Sequence, residues 1–266
     1  MSIGQTIHTI RYLRAGQAFA QVRHRLRPFW ERPEKFFLQP VPDVEVLRWP
    51  ENRSFLPPGP QVTRAEPVQR GKFEFLNHEE YLGWPPSDWN VAGLPKLWQY
   101  NLHYFDWLWG LGYTDVREGV LGWIDRHPLG RARIGWDPYP LSLRLLNWCA
   151  VCFGKFRAET EADPEFIQKL WQSIYLQAEW LSRHLETHLL GNHLFENGAA
   201  LAFAGSCFGG VAGERWLHRG LHILEREIPE QILPDGMHFE LSCMYHVRIT
   251  YLLRLLLDTG NEVLCA

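Results

Sequence analysis

The sequence predicts an all-α fold, an incomplete (α/α) toroid preceded by an extended or small-strand N-terminal arm. Three observations carry that expectation. Apolar residues recur at spacings of three and four from Leu97 onward, Gly-, Pro- or Asn-rich breaks separate these stripes at short intervals, and two period-two runs lie before residue 77. Repeated helix-and-break units without an exact repeat fit paired antiparallel helices wound into a ring.

The elements follow in order. Residues 1 to about 30 set Ile7, Ile10, Leu13, Phe19, Val22 and Leu26 among five arginines, a basic amphipathic helix interrupted near Gly16. A docking helix with a solvated face is expected there, membrane or partner binding being the alternative. From Pro40 to Asn77, dense prolines surround the alternating runs Val44 to Leu47 and Lys72 to Leu76, which read as strands or extended arms. Asp163-Pro164 supplies an N-cap and a first-turn proline to a helix whose stripe runs from Ile167 through Leu170, Trp171, Ile174, Ala178 and Leu181 to Leu185. Further stripes run from Leu141 to Phe153, Leu194 to Phe203, Leu217 to Ile228 and Met244 to Leu257. The division expected is an arm over 1–76 and a toroid over 77–266, with the array cut off soon after Leu257.

Composition narrows the function. The 266 residues are 46% hydrophobic and 14% aromatic, which excludes wholesale disorder and supplies a core for one or two domains. Lys and Arg total 27 against 30 Asp and Glu, a net charge of -3 that lacks the cation excess of a nucleic-acid partner. Five cysteines in apolar helical surroundings imply no disulfide framework, and Cys149 and Cys152 read as buried thiols. No apolar run is long enough for a membrane span, and the first residues lack the pattern of a secretory signal, so cytoplasm is the default, with periplasm or secretion as the alternative.

Three polar or aromatic stretches are candidates for chemistry. In Gly191-Asn192-His193-Leu194-Phe195-Glu196-Asn197, spacings of three and four let Asn192, His193, Glu196 and Asn197 share a helix face. On spacing alone, Asn192 as a plain cap and His193 as an ordinary imidazole stay open. After the turn Pro234-Asp235-Gly236, a helix beginning near Ser242 projects Tyr245 and Arg248 to one side, a phenol beside a cation. The aromatic stretches around Trp98, Tyr100, His103, Tyr104, Trp136 and Tyr139 suit either an aromatic core or a carbohydrate cleft, where sugar C–H faces stack on rings. No metal centre or cofactor is expected from these motifs.

Together, LWQYNLHYFDWL at 97–108, WDPYPLSLRLLNW at 136–148, GNHLFENGAALAFAG at 191–205 and ILPDGMHFELSCMYH at 232–246 resemble the heparinase II/III family of polysaccharide lyases, in its N-terminal helical domain. The resemblance implies an incomplete α/α toroid followed by a C-terminal β-sandwich absent from this chain, and β-elimination across a uronic acid in a polymer such as heparan sulfate or alginate. It implies that Asn192 neutralises the carboxylate, His193 is the neighbouring base or neutraliser, Tyr245 protonates the departing O4 or is both acid and base for one substrate epimer, and Glu196 orients the histidine or the substrate. Trp98, Tyr100, His103, Tyr104, Trp136, Tyr139 and Arg248 are the implied substrate contacts. Relatives draw a further His, and a structural metal, from the β-sandwich. The partner implied is an acidic polysaccharide or oligosaccharide. Two other readings stand beside this one: a glycan-binding or inactive remnant, and a glycoside hydrolase using Glu196 with Asp235 or Glu240.

Overall fold

The computed structural model describes residues 15–29, 36, 40–47, 49, 55, 65–127 and 134–265. Helix α1 (Ala15–Leu26) is followed by α2 (Ala65–Gln69) and a hairpin of β1 (Lys72–Phe75) and β2 (His78–Tyr81). The body comprises α3 (Lys96–Tyr104), α4 (Tyr113–Arg126), α5 (Pro138–Ala150), α6 (Arg157–Glu161), α7 (Pro164–Arg183), α8 (Gly191–Cys207), α9 (Gly210–Gln231), α10 (Cys243–Asp258) and α11 (Glu262–Cys265). The fold is all-α with one small sheet.

Local chemistry explains the boundaries. Asp163 accepts a hydrogen bond from the Phe166 amide at 3.0 Å, so the predicted cap and proline open α7. α5 ends in a π turn at Val151–Lys155, which keeps Phe153 buried beyond the α-helical register. β1 lies where the alternation predicts it and pairs antiparallel with β2, whose charged sequence HEEY carries no apolar alternation to announce a strand. Of the other predicted strand, Val46 keeps a single bridge, to Phe208. The part of the N-terminal pattern before residue 15 lies outside the described residues.

α8 is the axis of the packing. It is buried throughout from Leu194 to Cys207 and apolar all round from Gly198 to Gly205, with α5, α9 and α10 against it. Its contact with α9 is close because glycines line the seam: a methyl on Gly220 would stand 2.5 Å from the Gly198 carbonyl oxygen and closer still to the Ala202 nitrogen. The rest of the core is largely indole. Trp89, Trp98, Trp107, Trp123, Trp148 and Trp216 are none more than 1% exposed, and the Arg144 guanidinium lies 4.0 Å from the Trp123 ring centre, donating to Gly135 O at 2.8 Å and Gln177 Oε1 at 2.8 Å. Cys149, Cys152 and Cys207 are buried, and burial pushes the Cys152 and Cys207 thiols up, whereas Cys243 is exposed at the start of α10.

Candidate active site

Two backbone residues with positive φ, Leu190 at 62° and Gly191 at 58°, turn the chain sharply into α8. This turn sets Asn192 and His193 half-exposed in the first turn of the helix. A left-handed leucine is strained, and such strain is held by surrounding contacts. Here Gln231 donates from Nε2 to the Gly191 carbonyl at 2.9 Å, while its Oε1 lies 3.1 Å from Nε2 of buried His238. The His238 ring is in turn 6.0 Å from the Tyr245 ring. A chain of side chains therefore runs from the start of α8 to Tyr245 on α10.

A buried network orients His193. Its Nδ1 is 3.1 Å from Oε1 of Glu186, and Oε2 of the same carboxylate accepts from Asn197 Nδ2 at 3.1 Å. Asn197 also donates to Ser142 Oγ and accepts the Glu186 backbone N–H at 2.9 Å. Its amide thus ties the Glu186 loop to α5 and α8. Tyr139, at the start of α5, packs its ring 4.5 Å from that of His193, and Tyr245 is among the groups whose field reaches it. Burial first, then the Glu196 charge, raises the Tyr139 phenol far above its ordinary range. That phenol stays protonated at neutral pH.

One turn deeper, α8 and α10 are joined by charge. Glu196 has no exposed surface, and its two oxygens accept from Arg248 Nε at 2.6 Å and Nη2 at 2.9 Å. Burial opposes the charge on Arg248, but the Glu196 carboxylate more than offsets this, and Asp106 adds to it. Burial raises Asp106 itself, with Arg248 and the Asn147 amide acting against the shift. Because Asn192 precedes Glu196 by four residues and Tyr245 precedes Arg248 by three, each candidate residue stands about one turn from the pair, toward the start of its helix.

The expected residues therefore divide. Asn192, His193, Tyr139 and Tyr245 gather at the α8 start. Glu196 is engaged by Arg248, and the carboxylate at His193 is Glu186, which sequence spacing did not single out. Arg248 is held by Glu196, so it stands as a clamp between helices in place of the expected substrate contact. Tyr100 donates to Asp137 Oδ2 at 2.5 Å, and Lys96 pairs with the same oxygen at 2.9 Å, at the rim of α5. Burial, then this Asp137 contact, raises the Tyr100 phenol well above its ordinary range. Four expected sugar contacts are core residues. Trp98 donates to the His78 carbonyl beneath Phe75, fully buried His103 accepts from Trp123 Nε1, Trp136 donates to the His127 carbonyl, and Tyr104 is packed between Tyr100 and Tyr139. Their burial leaves almost no ring face for a sugar. Among the described residues, no group of three or more His, Cys, Asp or Glu is arranged to hold a metal ion.

The family model described as heparinase II/III N-terminus matches residues 118–263, more than half of the chain. The chain belongs to the heparinase II/III family. This heparinase II/III chain is 29% identical over 193 residues to a heparin-sulfate lyase of Pedobacter heparinus, covering 66% of the chain and 28% of that protein. It is 25% identical over 216 residues to one of Bacteroides stercoris, covering 68% and 31%. A third match, from Bacteroides thetaiotaomicron, is 28% identical over 136 residues, covering 50% and 19%. The chain thus spans between about a fifth and a third of the length of these relatives. The crystal structure of a heparan sulfate lyase HepC mutant from Pedobacter heparinus shares the fold, with TM-score 0.59 and 22% identity over 92% of this chain and 40% of that one. Tyr139, Glu186, Asn192, His193, Tyr245 and Arg248 fall inside the matched stretch, whereas Trp98, Tyr100, His103 and Tyr104 precede it. No helix among the described residues is long and apolar enough to cross a membrane.

Proposed function

We propose that this chain is the catalytic-cleft half of a polysaccharide lyase that cleaves a uronic-acid polymer, with heparan sulfate favoured over alginate by the names of its relatives. The observation that carries the reading is the convergence of Asn192, His193, Tyr139 and Tyr245 at the junction of α5, α8 and α10. An amide at Asn192 hydrogen-bonds the substrate carboxylate without titrating. That interaction strengthens as the C5 carbanion delocalises into the carboxyl group, and so lowers the barrier. His193, fixed through Nδ1 by Glu186, presents Nε2 to the C5 proton. As the C5–H electrons form the C4–C5 double bond, the C4–O4 bond breaks and the Tyr245 hydroxyl delivers its proton to O4. For the uronate epimer with the opposite C5 configuration, Tyr245 serves as both base and acid.

The hydrolase alternative needs two available carboxylates flanking the bond. Glu196 is occupied on both oxygens by Arg248, which speaks against it. The test is absorbance at the unsaturated-uronate band with heparan sulfate, alginate and other acidic polysaccharides. Tyr245→Phe is expected to slow elimination by about 10²–10⁴-fold while sparing polymer binding. Polymer cleavage without a conjugated product, or full elimination by Tyr245→Phe, overturns the proposal.

A further inference from the structure

A second charged feature lies on the other side of the loop that carries Glu186. On α9, Arg215, Arg219, His222 and Arg226 follow at spacings of four, three and four, one stripe about 16 Å long on the face turned from α8. Opposite it stand Arg23 on α1 and Arg27 directly after that helix. α1 buries no residue of its own; Gln21 donates to the His188 carbonyl, His24 stacks on His188 at 4.0 Å, and Arg27 directly after the helix donates to the Arg183 carbonyl.

Between the two stripes are adjoining hollows of about 560 and 720 Å³ that share Arg23, Arg27, Leu185, Thr187 and Arg219. Six arginines line them against three glutamates, on a protein whose net charge is -3. One of those glutamates, Glu179, already bonds Arg183 and Arg215. Arg23, Arg219 and Arg226 have no carboxylate partner among the described residues, and all three are exposed. The cations are arginines without a lysine, and a guanidinium fork matches the paired oxygens of carboxylate and sulfate groups.

We infer that the groove between α1 and α9 is a second anion-binding site, which holds a sulfated stretch of the polysaccharide next to the part being cleaved. Leu190 and Leu194, which flank Asn192 and His193, form part of its wall, so a strand in the groove continues past the start of α8. The charge stripe defines a linear polyanion as the occupant, and naming it a glycan rests on the lyase reading above.

Binding of heparin, neutral dextran and single-stranded DNA to the whole chain tests this, with Arg219→Ser/Arg226→Ser as the variant, since exposed side chains are removable without unfolding. The expected result is heparin binding that weakens steeply with salt and falls about tenfold or more in the variant, with no dextran binding and unchanged turnover of a short unsulfated oligosaccharide. Unchanged heparin affinity in the variant overturns the site, and DNA bound more tightly than heparin overturns the glycan as occupant. The two proposals fail separately. Heparin affinity lost in the variant, with no uronate absorbance from the parent chain, keeps the groove and removes the lyase reading; absorbance with unaltered heparin affinity does the reverse.

Discussion

Replacing Arg248 by Met tests the clamp between α8 and α10. The substitution keeps much of the side chain's length and its contact near Tyr251, while deleting the guanidinium that bonds both oxygens of Glu196 at 2.6 and 2.9 Å. Glu196 has no exposed surface, and Asp106 stands in the same field, so two carboxylates lose their shared cation. Breaking a buried pair from one side costs about 3–5 kcal/mol. At about 2–4 °C per kcal/mol for a chain of this size, the melting temperature falls by roughly 6–20 °C. The pH dependence has a definite sign. Asp106 is raised by burial and loses the opposing effect of Arg248, so its unfavourable contribution is absent below its unfolded pKa and develops as pH rises through the folded one. Calorimetric melts of the variant are therefore expected to improve from pH 7 toward pH 5, relative to the parent. The double variant Glu196→Gln/Arg248→Met is expected to lose less than the two single variants combined. Additive losses, or a melting temperature within about 2 °C of the parent, would refute the clamp.

Three further outcomes follow from the geometry. Glu186→Gln, which loosens the hold on His193 Nδ1, should lower kcat by about tenfold to a hundredfold with KM and melting temperature nearly unchanged, and a rise in KM alone would remove the positioning role. Gly220→Ala forces α9 away from α8 and should cost about 1–3 kcal/mol in urea unfolding, an unmoved midpoint being evidence against the tight seam. Asp163→Ala should cost about 1 kcal/mol at neutral pH. Its carboxyl is held below the usual range by the Phe166 amide first and then by Arg117. That contribution is present above the unfolded pKa of about 3.9 and fades as pH falls through the folded value, so parent and variant should converge only in acid.

The helical architecture was legible because its signals are local. The Asp163-Pro164 cap and the Ile167 to Leu185 stripe specify α7 without reference to the rest of the chain, and the stripe from Leu194 to Phe203 falls within α8. The candidate site was legible as a place, since Asn192, His193 and Tyr245 lie at the starts of the two helices whose spacing singled them out. What escaped were pairings across elements. Glu186 meets His193 because a turn with positive φ at Leu190 and Gly191 folds the loop back, and the sequence marks only the glycine as suited to it. Likewise Glu196 is one turn from His193 on the helix, which invited the wrong partner, while Arg248 is 52 residues away and is its actual one. The aromatic run around Trp98 and His103 shows the opposite error: composition cannot separate rings that line a cleft from rings that fill a core, and only burial decided between them.

The glycine seam has a mechanical consequence. Where two helices touch through backbone, there is no flexible side chain between them to absorb sliding, so α8 cannot shift along α9 without carrying the core with it. Asn192 and His193 thus stand at the start of a helix that this seam holds in place.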